Sequence, residues 1–252
     1  MRHAKKLTLG LAMAAASAFT SPALALDVNS DIDTDTVWTK ADSPVMLRQP
    51  VFVENGASLT IEAGVVVVTG FSDDGGLIVE RDSQIFVLGT KEQPVIMTSA
   101  NDVATWDGSA TQDTDSDGNA DEVTTLGDPT TGTWREAALE WRNLSVMGRG
   151  VVAATHFSGT PVQGSDSVDN PKVPDGTTDR QLEGLTDSSQ DIWFGGGNDD
   201  DDSGTINYLS IRYGGRVVGT GNELNGLSLG GVGRETDISH VEIMNNVDDG
   251  VE

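Results

Sequence analysis

The feature that most limits how this chain can fold is a pair of internal repeats, each aligned at a constant shift. Val51-Phe52-Val53-Glu54-Asn55-Gly56-Ala57-Ser58-Leu59-Thr60-Ile61 lies over Leu77-Ile78-Val79-Glu80-Arg81-Asp82-Ser83-Gln84-Ile85-Phe86-Val87, a shift of 26. Ile206 to Gly214 lies over Ile238 to Asn246 at a shift of 32, with Leu209 over Val241 and Ile211 over Ile243. Each unit is a set of short β-rich runs separated by Gly, Asn, Asp and Pro, and Val65 to Val68 and Val95 to Thr98 add a third run. Strand side chains alternate between faces. Asn207, Leu209, Ile211 and Tyr213 are therefore expected to share one face with Ser239, Val241, Ile243 and Asn245. Tyr208, Ser210 and Arg212 fall on the other with His240, Glu242 and Met244.

Three short strands per repeat predict an all-β chain wound as a parallel β-helix. A helical solenoid would need amphipathic helix spacing, which is absent. A propeller blade needs roughly 40 or more residues per unit, and an antiparallel sandwich has no reason to repeat its own sequence. The expected layout is a cap over 26–50, then the β-helix over 51–252, since a stack of strands must cover its first turn. Two polar stretches, 99–133 and 158–190, are expected to loop off the stack as insertions. The ladder is still in progress at Glu252, so further turns are expected beyond it.

Met1 to Ala25 carries Arg2, Lys5 and Lys6, then an apolar run from Leu7 to Phe19, then Ala23-Leu24-Ala25 as a small-x-small cleavage site. That pattern is a secretory leader, and the run is shorter than the roughly 20 apolar residues of a membrane span. Export to the periplasm, the cell surface or beyond is expected, with no transmembrane segment. Removing the leader takes away its three basic residues, leaving 12 Lys and Arg against 40 Asp and Glu, a formal charge of −28. Such a surface repels nucleic acid, anionic lipid and polyuronate chains and attracts divalent cations. With no cysteine anywhere, an exported chain must be held by burial and ladder hydrogen bonds rather than disulfides.

Glu183-Gly184-Leu185, Tyr208 to Gly215, Glu223 to Gly233, His240 to Gly250 and Val53 to Gly64 resemble secreted right-handed parallel β-helix repeat proteins of Gram-negative bacteria. The resemblance spans most of the chain outside the leader and the two insertions. It implies a right-handed helix and an envelope or extracellular location, and it carries no catalytic residue onto this sequence.

The sharpest chemical motif is Asp113, Asp115, Asp117, Asn119 and Asp121, with Gly118 at the sixth position. Oxygens at alternate positions around a bending glycine match the first nine positions of a calcium loop. The twelfth position is Thr124, so the bidentate Glu of an EF-hand is missing, and a helix-free calcium loop competes with a solvated acidic linker. Asp199 to Asp202 lacks alternate spacing and reads as a charged turn. Asp248-Asp249 could suggest the carboxylate pair of a glycosidase, but Asn-Asn-Val-Asp-Asp-Gly is ordinary turn chemistry. Tyr208, Arg212, His240 and Glu242 form an outward ladder that could meet a sugar or a partner. Asn207, Asn245 and Asn246 are expected to bond turn backbone inside the helix. The tryptophans are expected to plug core edges, with Trp106 and Trp193 as candidate sugar platforms. Gly195 to Gly197 and Gly230 to Gly233 read as tight corners, since neither opens a helix or carries a phosphate-loop Lys. Two functions stay open: a non-catalytic, calcium-stabilised exported scaffold for adhesion, matrix or envelope assembly, with polysaccharide or surface proteins as partners, or a polysaccharide hydrolase or lyase on the same fold.

Overall fold

The two sequence shifts reappear as strand register. Val51, Phe52 and Val53 pair in parallel with Leu77, Ile78 and Val79, and Ile206, Leu209 and Ile211 pair with Ile238, Val241 and Ile243. A computed structural model describes residues 25–70, 73–114, 116–152, 180–182, 192–219 and 222–252; the leader up to residue 24 and most of 158–190 lie outside them. Within the described residues the chain is a right-handed parallel β-helix with three sheets.

Sheet I stacks Leu26–Val28, Val45–Leu47, Val66–Thr69 and Val95–Ser99, followed by 209–212 and 241–244. Sheet II stacks Pro50–Val53, Gly76–Val79, Leu144–Met147 and Leu227–Gly230, extended by single bridges from Ile32 and Val251. Sheet III stacks Thr36–Trp38, Ser58–Glu62 and Gln84–Leu88, followed by 204–207 and 237–239. Each turn visits I, II and III in that order, and the next begins about 4.8 Å further along the axis. Parallel pairing in register lines identical positions into interior columns. Val45, Val67, Met97 and Ile211 form one, Val51, Leu77, Leu144 and Leu227 another, and Trp38, Ile61, Val87 and Ile206 a third, all buried. Each such side chain contributes about 1.5–3 kcal/mol on leaving water, which is how a chain without disulfides holds this shape.

The lead-in carries rungs of its own. Leu26–Val28 and Thr36–Trp38 pair with the strands that follow, and Val45 to Leu47 are fully buried. The segment expected to cover the stack thus also forms its first turn.

At the edge between sheets III and I the earlier turns use loops, at 63–65 and 89–94, but the later two use one residue each. Gly204–Arg212 and Asp237–Met244 run straight through the edge, bending at Tyr208 (φ 49°) and His240 (φ 54°). One left-handed residue resets the alternation. Ile206, rather than Asn207, is the inward partner of Leu209 and Ile211, and Asn207 faces out with Ser239, whose hydroxyl donates to Asn207 Oδ1. The face assignment predicted by strict alternation is therefore wrong before the bend and right after it. Tyr213 also has positive φ (61°) and leaves the interior to lie beneath Arg135. Glycine is obligatory where turns abut: a Cβ on Gly89 would lie 2.2 Å from Tyr208 O.

The stretch 99–133 buries more than its polar composition suggests. Ser99 caps the short helix Ala100–Val103 by accepting from the Asp102 N–H, and Ala110–Gln112 forms an antiparallel hairpin with Glu122–Thr125. Val103, Trp106 and Val123 pack on Met46, Val66, Val68 and Ile96, roofing the outer face of sheet I. Leu182, Ile192 and Phe194 similarly roof Phe52, Ile78 and Met147 on sheet II.

Candidate functional site

With two sheets roofed, no segment among the described residues packs over the outer face of sheet III. Val37, Thr60, Phe86, Thr205 and Asp237 form one cross-strand row on it, and Glu62, Leu88, Asn207 and Ser239 a second. Val37 is 54% and Leu88 45% exposed. Parallel strands hold successive residues of each row about 4.8 Å apart, so the face offers hydroxyl, amide and apolar groups at a fixed spacing. At its border the Tyr208 and His240 rings stack, centroids 4.2 Å apart and planes 13° from parallel. A non-glycine residue in the left-handed region costs about 1–2 kcal/mol, and an aromatic pair returns about 0.5–1.5 kcal/mol. Two such residues meet in one stack, which therefore offsets part of the strain of the two bends. A His240 ring nitrogen lies 3.1 Å from Asn207 Oδ1, tying the stack to the open face.

The outward ladder predicted from Tyr208, Arg212, His240 and Glu242 is divided by that bend. Tyr208 and His240 stay at the edge, while Arg212 and Glu242 project from sheet I. There Arg212 Nε donates to Ser210 Oγ and the Ser210 hydroxyl donates to Glu242 Oε2. Nearby, both terminal nitrogens of Arg135 donate to Glu140, while its guanidinium covers the Tyr213 ring at 4.5 Å. The bond to Glu140 holds the Arg135 guanidinium charged beyond its ordinary range, against the opposing effect of its partial burial.

Arginine–carboxylate pairs of this kind recur along the molecule. Arg48 joins Asp27, Asp73 and Glu122, tying the first turn to the base of the insertion's hairpin. Arg142 and Arg216 meet at Asp74, Arg149 reaches Asp82, and Arg234 takes Asp199 and Asp200. Asp199 to Asp202 is thus the charged turn its spacing indicated, with Asp202 accepting from the Gly204 N–H.

The calcium-motif residues lie on the connection between the hairpin strands. Asp113 Oδ2 accepts from the Gly118 N–H, Asp117 accepts from both the backbone and the side-chain amide of Asn119, and Asp121 is buried at the hairpin's base. Asp115 lies outside the described residues. Among the described residues, no three His, Cys, Asp or Glu side chains are grouped to hold a metal. Asp248 and Asp249 are exposed, and their backbone carbonyls accept from the Asn246 side chain, which is turn chemistry. Asn245 donates to Arg135 O outside the stack. Trp106 is 2% exposed and cannot be a sugar platform, because the insertion buries it against sheet I. Trp193 is partly exposed, and Trp134, expected at a core edge, is 63% exposed.

A cleft that sequence reading missed opens beside sheet II, with a volume of about 270 Å³. Glu223 and Glu252 both line it, and Asn225 donates its side-chain amide to Glu252. The two glutamates are far apart in sequence and share no motif, so only the winding of the chain brings them together.

These features define a right-handed parallel β-helix protein with stapled insertions and one open sheet face. A family model described as a pectate-lyase-like β-helix domain matches residues 30–111 and 174–252, more than half of the chain, and the chain belongs to that family. No curated protein and no solved structure matches it. No helix among the described residues is long and apolar enough to cross a membrane.

Proposed function

We propose that the chain is an exported, non-catalytic β-helix scaffold that binds through the open face of sheet III in adhesion, matrix or envelope assembly. The observation that carries this reading is the distribution of cover. Sheets I and II are roofed by the chain's own segments, whereas no segment among the described residues packs over the row of Val37, Thr60, Phe86 and Thr205 on sheet III. Arg48, Arg135, Arg142, Arg149 and Arg234, which could otherwise bind an acidic substrate or lower the pKa of its α-proton, are engaged with carboxylates of this chain. Export rests on the leader pattern from Met1 to Ala25. A calcium ion held by the alternate oxygens from Asp113 to Asp121 belongs to the same proposal and would stiffen the hairpin connection.

A specific feature favours a second reading, a polysaccharide-degrading enzyme: Glu223 and Glu252 face one cleft, and glycoside hydrolysis uses two carboxylates. One experiment separates the two. The full chain is incubated with insoluble neutral and acidic polysaccharides, with calcium or chelator, and both retained protein and released sugar ends are measured. The scaffold predicts retention that falls severalfold in a Thr60→Lys, Thr205→Lys double variant with an unchanged melting curve, and sugar release at background. Release that is lost in Glu223→Gln or Glu252→Gln would establish the enzyme instead.

A further inference from the structure

A trough runs along the edge where sheet III turns into sheet I, with a volume of about 510 Å³, within the range of small-molecule sites. Val66 and Ile96, on the outer side of sheet I, line it, as do Pro94 and the insertion's Leu126 and Pro129. The insertion thus roofs sheet I incompletely and leaves an apolar channel at its margin.

Two cations and one carboxylate reach this channel. Lys40 is exposed, with Nζ 3.5 Å from Gln93 Oε1, and Glu92 is exposed on the turn preceding Pro94. Arg212 is different, because its side chain is mostly buried. Its Nε donates to Ser210 Oγ at 2.9 Å, while Nη1 forms an ion pair with the buried Asp102 Oδ2 at 3.7 Å, too long for a hydrogen bond. Asp102 Oδ2 already accepts the Thr98 hydroxyl at 2.9 Å. Among the described residues, neither terminal nitrogen of Arg212 makes a hydrogen bond. A guanidinium placed this way presents two parallel donors, the geometry that matches a carboxylate.

We infer that this trough binds an amphipathic monocarboxylate, with its apolar body along Val66, Ile96 and Leu126 and its carboxylate on Arg212. The overall negative charge disfavours polyanions, so a single carboxylate with an apolar body is the anion best suited to one arginine in an apolar channel. The site is separate from the open face of sheet III and from the Glu223–Glu252 cleft, and it stands whichever function those serve.

The test is calorimetric titration of the full chain with decanoate below its micelle concentration, beside 1-decanol and decyltrimethylammonium. Saturable one-to-one decanoate binding is expected, weakened about tenfold or more in Arg212→Gln and partly restored in Arg212→Lys, with decanol affinity changed less than about twofold. Thr130→Trp, an exposed substitution on the trough wall, should block decanoate and decanol alike and serves if Arg212→Gln fails to fold. The inference is overturned by no saturable decanoate binding, by decanoate affinity that survives both substitutions, or by equal affinity for decyltrimethylammonium.

Discussion

Asp73 and Asp82 carry opposite shifts that make stability depend on pH in opposite senses. Burial raises the Asp73 carboxyl above its ordinary range, aided by Asp121 and opposed by Arg48. Its folded form therefore favours the proton: that contribution is full below the ordinary aspartate pKa and is lost as pH rises through the raised value. Asp82 is lowered by its hydrogen bond from Arg149, so its contribution is present at neutral pH and lost as pH falls through the lowered value. Asp82 is more than half exposed, and solvent screening limits the pair to about 0.2–1 kcal/mol. Melting midpoints between pH 3 and 7 should show Asp73→Asn gaining on the parent chain as pH rises, and Asp82→Asn losing ground over the same range. Parallel curves for both variants would contradict these assignments. Such pairs were not legible beforehand: Asp73 is an ordinary loop aspartate until the stack brings Arg48 and Asp121 to it.

The insertion at 99–133 behaves as a roof and not as a free loop. Its polar composition hid this, because the apolar surface it covers belongs to Met46, Val66, Val68 and Ile96 on separate strands. Trp106 is the largest side chain in that cluster, and its buried Nε1–H has no acceptor among the described residues. Trp106→Ala should cost about 3–5 kcal/mol, the usual price of removing a large core aromatic. Trp106→Phe should cost much less, since it keeps most of the ring packing and deletes an unsatisfied donor. Chemical denaturation of both variants, with dye binding to report exposed sheet I, checks the ordering; equal losses would mean that Trp106 is not a packing residue. The one-residue edge at Tyr208 and His240 belongs to this scale too. The shift of 32 placed the two rings over one another, but strict alternation could not show that the left-handed bend turns Ile206 inward.

For the whole molecule, the proposed calcium loop links metal to global stability, because an ion bound only by the folded chain raises the melting point by mass action. At a hundredfold excess over its dissociation constant, calcium would add about 2.7 kcal/mol. Melting in calcium should exceed melting in chelator, and Asp113→Asn with Asp117→Asn should remove the difference; identical melts of the parent chain would eliminate Asp113 to Asp121 as a structural site. The parallel β-helix was readable from the sequence because a solenoid repeats its interior columns, so that Val51 over Leu77 and Ile206 over Ile238 are at once sequence shifts and hydrogen-bonded rungs. Local composition likewise marked the acidic turns, whose turn hydrogen bonds run to groups two or three residues away, although the Arg234 partner of Asp199 and Asp200 is not local. Tertiary structure alone decided which sheet face stays open, which arginine keeps unengaged donors, and that Glu223 and Glu252 share a cleft. Those outcomes depend on segments distant in the chain meeting across the stack, and no periodicity within one segment encodes such a meeting.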